Sequence, residues 1–348
     1  MIQLKNKKIL FVSVSFFNYE KAIVSKLEEL GAIVDFYDDR PSNSLINKGI
    51  VRLNKKLISS KINHYYKKIL KEINQENYDY FLLIKGEATP RFFVKELKAR
   101  LPKLKTIYYT FDSFTEYPHL VSHLNDFDEN FTFDRNDAHK YGLHFRPLFF
   151  LDEYYKKRKE IKSPEIDIAF VGSAHTDRYI IGENVRSIAE KLQLKTFFYY
   201  YAMDEFVFKL KKIFDKNLQY FNIKKLSFKT LSHQQIIEIY QKTKSVLDIN
   251  KPFQNGLTIR TFEVLALGKK LITTNADVIN YPFYHPQNIL IINRENIILE
   301  KFFFETEFKE IENEILQKMS LESFIECLFI ENQDEYWENS NKKAIQNF

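Results

Sequence analysis

Short apolar runs alternate along this chain with stretches in which apolar residues return every three or four positions, a rhythm that predicts strands and helices in turn. Residues 8–16 read as a strand, 19–30 as a helix stopped at Gly31, and 32–37 as a second strand. The run 79–85 predicts a strand ending in Gly86-Glu87, and Pro90 opens a helix over 91–101 at a position where its missing N–H is not needed. A strand over 105–110 ends in Phe111-Asp112-Ser113, and a short strand at 130–133, a helix over 136–141 and a strand at 144–149 follow. A second series then begins, with strands at 166–171, 195–200, 245–249, 271–274 and 288–292, an extended piece at 223–228, and helices between them. Further helices are expected near 297–304, 308–319 and 321–330. Two such series predict an α/β chain with two Rossmann-like domains, 1–150 and 166–330. Residues 151–165 are crowded with charge and lack a hydrophobic period, so they read as the linker, and 331–348 is left as a tail.

The run GLTIRTFEVLALGKKLITTN, Gly256 to Asn275, gives the sharpest local prediction. Thr258 is placed to cap a helix, Ile259, Phe262, Leu265 and Ala266 share its inner face, and Gly268 follows the last turn where a left-handed residue is wanted. Such a helix starts at the carboxyl edge of a sheet, where unpaired N–H groups and the positive dipole end suit a diphosphate. Glu263 sits two turns in, with a carboxylate able to accept both hydroxyls of a ribose; the competing reading is a surface pair with Arg260 at i, i+3.

Composition narrows the class. The 348 residues are 45% hydrophobic and 28% charged, ordinary for a globular chain of two domains. The single Cys327 forms no internal disulfide, and no Cys/His cluster has zinc spacing, which suits a reducing cytoplasm. The lysines before residues 9–17 mimic a secretory signal, but no small-residue cleavage site follows. No apolar run reaches membrane-spanning length. No G-x-G-x-x-G follows the first strand, which argues against dinucleotide binding in the manner of dehydrogenases. The net charge of +6 is uneven: Lys48 to Lys71 holds eight Lys/Arg residues and no acid, on a helical pattern running from Ile50 to Ile69. That helix reads either as a solvated charged face over a core stripe or as a contact for anionic lipid headgroups at the inner face of the cytoplasmic membrane. No recognition motif accompanies the charge, so no nucleic-acid partner is expected.

DIAFVGSAHTDRY (Asp167 to Tyr179), QNGLTIRTFEVLALGKKLITTN and PFYHPQNILIINR (Pro282 to Arg294) resemble the GT-B glycosyltransferases. The nearer likeness is to bacterial cell-surface polysaccharide transferases related to the CgeB spore-maturation proteins. The resemblance implies two domains facing across a cleft, a tail that returns to the first domain, and a nucleotide-sugar donor held by the second. Its implied product is a surface glycan such as capsule or lipopolysaccharide, built on a glycan or lipid-linked acceptor. Many retaining members carry a second glutamate eight positions before the ribose one, where this chain has Asn255.

Sugar transfer needs the diphosphate leaving group stabilised, which fixed donors do without a metal or other cofactor. The candidates are the backbone amides of Gly172 and Ser173, those of Gly256, Leu257 and Thr258, the side chains of Arg178 and Arg260, and Gln254 and Thr258 for phosphate or sugar oxygens. Glu263 holds the ribose. An inverting transfer also needs a general base, for which Asp112 and then Glu87 stand at first-domain strand ends, with His119 and His175 behind them. Three rivals share these features: a nucleotide-sugar 2-epimerase of the same fold, a two-lobed sugar-binding protein, and a degenerate transferase serving as an assembly partner.

Overall fold

The computed structural model describes residues 4–41, 59–73, 76–158 and 163–338. Its contacts divide the chain into two compact units, one comprising Met1–Pro147 with Leu321–Glu338 and the other Leu148–Ser320. The first holds β1 (Lys8–Ser13), β2 (Ile33–Asp38), β3 (Tyr80–Ile84), β4 (Lys105–Thr110), β5 (Glu129–Thr132) and β6 (His144–Phe145) in the order β2-β1-β3-β4-β5-β6, every pair parallel. Phe81 to Ile84 are all buried, as expected of a parallel strand covered by helices on both faces.

The second unit holds β7 (Ile166–Ser173), β8 (Thr196–Tyr201), β9 (Leu226–Ser227), β10 (Thr243–Asp248), β11 (Lys270–Thr273) and β12 (Ile289–Ile291) in the order β12-β11-β10-β7-β8-β9, again all parallel. Its core joins Phe170, Val185, Leu247 and Ile272 with Tyr200 and Phe221. Each sheet winds outward in two directions. The order reverses between β1 and β3 in the first and between β7 and β10 in the second, and open α/β sheets take their ligands at the carboxyl ends of such switch points.

Three expectations are corrected here, and one open choice is narrowed. The stretch 151–165 is not plain linker. The helix Asp152–Lys157 lies within it and buries Tyr154 completely, so a single aromatic anchors what charge alone made look solvated. The second domain does not run to residue 330, because the helix Leu321–Phe329 belongs to the first unit, where Phe324 meets Tyr109 edge-on at 4.8 Å and Phe329 meets Tyr80 at 5.1 Å. The helix Asp334–Glu338 lies in the same unit, with Trp337 wholly buried and Asp334 accepting from the Phe145 amide at 2.8 Å. Of the basic stretch between Lys48 and Lys71, residues 48–58 lie outside the described residues. The helix Ser59–Glu72 turns Ile62, Tyr66, Ile69 and Leu70 into the first unit's core, so its apolar stripe is used internally. Lastly, the helix expected over 308–319 is confined to Asn313–Lys318.

Candidate functional site

At the second switch point the end of β7 and the end of β10 are tied together by one side chain. Arg178, the first residue of the helix Arg178–Lys191, donates through Nε to the Ile249 carbonyl at 2.8 Å and through Nη1 to the Ser173 carbonyl at 3.3 Å. Burial, and then the neighbouring Arg260, lower its pKa to about 10, so it remains a cation at neutral pH. Arg260 donates to the Tyr240 hydroxyl at 3.0 Å and faces Asp248 at 3.4 Å. Burial works against its charge, yet Tyr240 and Asp248 outweigh that and hold its proton more firmly than usual. Asp248 ends β10 with 1% exposure, and sequence reasoning missed it. Its signal was slight, a lone acid closing the apolar run SVLD.

Asp248 also explains a correction at Thr258. The residue occupies the cap position of the helix Ile259–Ala266, but its hydroxyl makes no capping bond. It donates instead to Asp248 Oδ2 at 2.6 Å, and Thr261 points at the same oxygen from 3.4 Å. The buried carboxylate pins the helix start to the strand end and leaves the helix without a side-chain cap.

Other expected contacts are redistributed. Gly172 and Ser173 do not form a turn; they continue β7 opposite Tyr200 and Tyr201. A β-carbon at Gly172 would lie 2.8 Å from the Phe170 ring, which accounts for the glycine by packing. Gln254 braces its own loop, donating to the Gly256 carbonyl at 2.8 Å, while its carbonyl accepts from Asn250 at 2.7 Å. Leu257 is 2% exposed and serves the core. Arg294, just beyond β12, binds Asp177 at 2.7 Å and the Asn250 carbonyl at 2.6 Å, clamping the loops that surround the switch point.

Glu263 is not on a solvated face. It is 4% exposed, and its Oε1 lies 3.9 Å from Nδ1 of His233, the first residue of the helix His233–Gln241; Tyr154 reaches the same ring nitrogen at 3.2 Å. The carboxylate is therefore buried beside a helix start, and it still acts on Arg260, whose charge it helps to hold.

His175, weighed earlier as a base, reports the local field. Its pKa is lowered to about 2, by burial first and then by Arg178, Lys251, Lys211 and Arg260. A group cannot take a proton where cations converge, and the same convergence favours a bound anion. The sign for stability follows. The unfolded histidine takes up a proton below pH 6.5 and the folded one does not, so stability falls as pH drops from 6.5 toward 2, by up to about 1.4 kcal/mol per pH unit. Urea midpoints at pH 7 and pH 5 should therefore separate less for His175→Asn than for the wild type.

The first unit's switch point carries a second polar cluster. Lys85 and Gly86, just past β3, both adopt left-handed backbone, with φ of 72° and 68°. A lysine held there is strained, and such strain gathers at functional sites. Glu87 is 1% exposed and gripped by Arg40 at 2.6 Å, with Lys85 at 3.5 Å. Asp112, past β4, takes the Lys85 ammonium at 2.8 Å while its side chain keeps 13% exposure. Burial opposes the charge on Lys85, but Asp112 and Glu87 more than restore it. Asp39 accepts from Tyr66 and from the Ala88 amide, both at 2.8 Å, and so fixes the loop that carries Glu87. His119 belongs to the helical turn Pro118–His123 and meets the ring of Tyr117, which in turn lies against Lys85.

No protein-family model matches the sequence. No curated protein matches it either. Solved structures do. The chain is similar to an α-glucosyltransferase in complex with UDP and a 13-mer DNA containing a central A:G mismatch, at 14% identity and a TM-score of 0.55 over 98% of this chain and 100% of that one. It is similar to the Methanocaldococcus jannaschii UDP-GlcNAc 2-epimerase in complex with UDP-GlcNAc and UDP, at 12% identity and 0.50 over 98% and 99%. A UDP-glucosyltransferase from Polygonum tinctorium gives 10% identity and 0.50 over 99% of each chain. Two parallel six-stranded sheets with alternating helices, shared over nearly the whole length, make this a GT-B fold.

Proposed function

We propose that the protein is a nucleotide-sugar-dependent glycosyltransferase and that the second unit's switch point binds the donor. The observation that carries this reading is a pair of arginines at the start of two helices, Arg178 buried and reaching the ends of β7 and β10, and Arg260 half-buried beside Asp248. The donor's diphosphate meets these groups and the amides at residues 256–258, and Glu263 accepts the ribose hydroxyls. As the glycosidic bond breaks, negative charge grows on the diphosphate, and the fixed cations stabilise it without a metal or other cofactor. The first unit supplies the acceptor side, where Asp112 takes the acceptor's proton and Glu87 holds the loop. The resemblance in residues 167–294 suggests a bacterial surface glycan as product, assembled by a cytoplasmic enzyme on a glycan or lipid-linked acceptor.

The likeness to a 2-epimerase supports a second reading, in which the same donor pocket releases the sugar transiently and needs no acceptor. Incubation with donor alone separates the two. Unchanged donor, or slow release of free sugar, accords with a transferase; a new sugar nucleotide formed without acceptor would establish the epimerase.

A further inference from the structure

The helix Glu205–Phe214 is held to the second unit by Phe208, its one buried residue, which packs edge-on against Phe221 at 5.4 Å, and by Lys212, which donates to the Phe221 carbonyl at 2.6 Å. Phe221 in turn stacks on Tyr179 at 4.1 Å, so the attachment is firm. The rest of the helix is inverted relative to an ordinary surface helix. Phe206, Leu210, Ile213 and Phe214 are 75%, 49%, 66% and 80% exposed, at helical spacing, and Tyr220 beyond them is 72% exposed. Apolar side chains clustered in this way on a surface mark an interaction site.

Charge decides the partner. Between Asp204 and Lys225 there are six lysines against three acids. The acids are occupied internally: Asp204 caps this helix, Asp215 caps the next, and Glu205 pairs with Lys209 at 2.7 Å; Lys212 and Lys225 are engaged as well, with the Phe221 carbonyl and Glu183. Lys211 and Lys216 stand exposed beside the apolar stripe, and no acid interrupts it. A protein partner of ordinary composition has no need of this basic fringe, whereas an anionic bilayer uses both parts, the rings at the headgroup boundary and the ammonium groups among phosphates. Among the described residues no helix is long and apolar enough to cross a membrane.

We propose that the helix Glu205–Phe214 docks the protein on an anionic lipid surface, seating Phe206, Ile213 and Phe214 among the headgroups. The surface differs from the basic stretch between Lys48 and Lys71, whose described apolar residues face the core. A peripheral seat of this kind suits a lipid-linked acceptor. Docking is independent of the reaction catalysed, and binding alone tests it.

The test is co-sedimentation of the full chain with vesicles of phosphatidylglycerol and phosphatidylcholine in equal parts, beside vesicles of phosphatidylcholine only. The wild type should pellet with the anionic vesicles and be released by salt. The double variant Phe206→Ser, Phe214→Ser should bind about tenfold or more weakly, since burial of apolar side chains supplies much of interfacial affinity. Both side chains are exposed, so its melting temperature should match the wild type. Phe214→Trp should show a blue shift in emission on adding anionic vesicles. Failure of the wild type to bind, or equal binding by the double variant, overturns the proposal. A wild-type dimer that the double variant dissolves also overturns it, because the face would then bury a second copy of this chain.

Discussion

Replacing Asp112 with asparagine is expected to lower kcat by about 10²- to 10⁴-fold, the range a positioned general base contributes. The structure separates this residue from Glu87, which sequence reasoning had placed beside it as an alternative. Glu87 is enclosed, with Arg40 at 2.6 Å, and has no face left for an acceptor hydroxyl to approach. Asp112 shares Lys85 with Glu87 but keeps a solvent-facing edge. The asparagine variant should retain most of its stability, because Lys85 still has Glu87 and the face of the Tyr117 ring, 4.9 Å away. Glu87→Ala should do the reverse. It strands the buried Arg40 guanidinium, and breaking a buried pair costs about 3–5 kcal/mol. That corresponds to a fall in melting temperature on the order of 10 °C for a unit of this size. Thermal unfolding and steady-state rates on the two variants check the division of labour, and full turnover by Asp112→Asn would move the base elsewhere.

Glu263→Ala is expected to weaken donor binding by roughly 100-fold. A carboxylate accepting hydrogen bonds from a ribose contributes about 1.5–3 kcal/mol per charged hydrogen bond, and about 3 kcal/mol in total is a factor near 100. The loss should fall on donor affinity rather than on the fold, since removing a buried carboxylate also removes its desolvation cost. Glu263→Gln should lie between the two, because an amide oxygen still accepts one hydroxyl.

Much of the fold was legible because parallel strands buried on both faces advertise themselves as apolar runs, as Phe81 to Ile84 do. Gly268 behaved as read, taking φ of 73° after the helix Ile259–Ala266. Harder to read were features set by partners distant in sequence. Tyr154 anchors a helix inside a run of charge only because the second unit offers it a buried place. Leu321–Phe329 is plainly apolar, but nothing local says that its rings belong against Tyr80 and Tyr109. At the candidate site, the residue types at 178, 260 and 263 were readable from the helix starts and from the resemblance in residues 167–294. Their geometry was not, because Asp248 decides where Thr258 and Arg260 point, and it sits ten or more positions earlier in the chain. The exposed stripe from Phe206 to Phe214 was read simply as a helix, since periodicity alone does not say which face meets water.

The most direct test of the donor site is calorimetric titration of the full chain and of Glu263→Ala with UDP, GDP and dTDP. One of these diphosphates should bind the wild type, and the variant should bind the corresponding sugar nucleotide about 100-fold more weakly while unfolding at nearly the same temperature. If the folded wild type binds none of them, or if the alanine variant binds as tightly as the wild type, Glu263 and the cations around His175 do not form a nucleotide-sugar site.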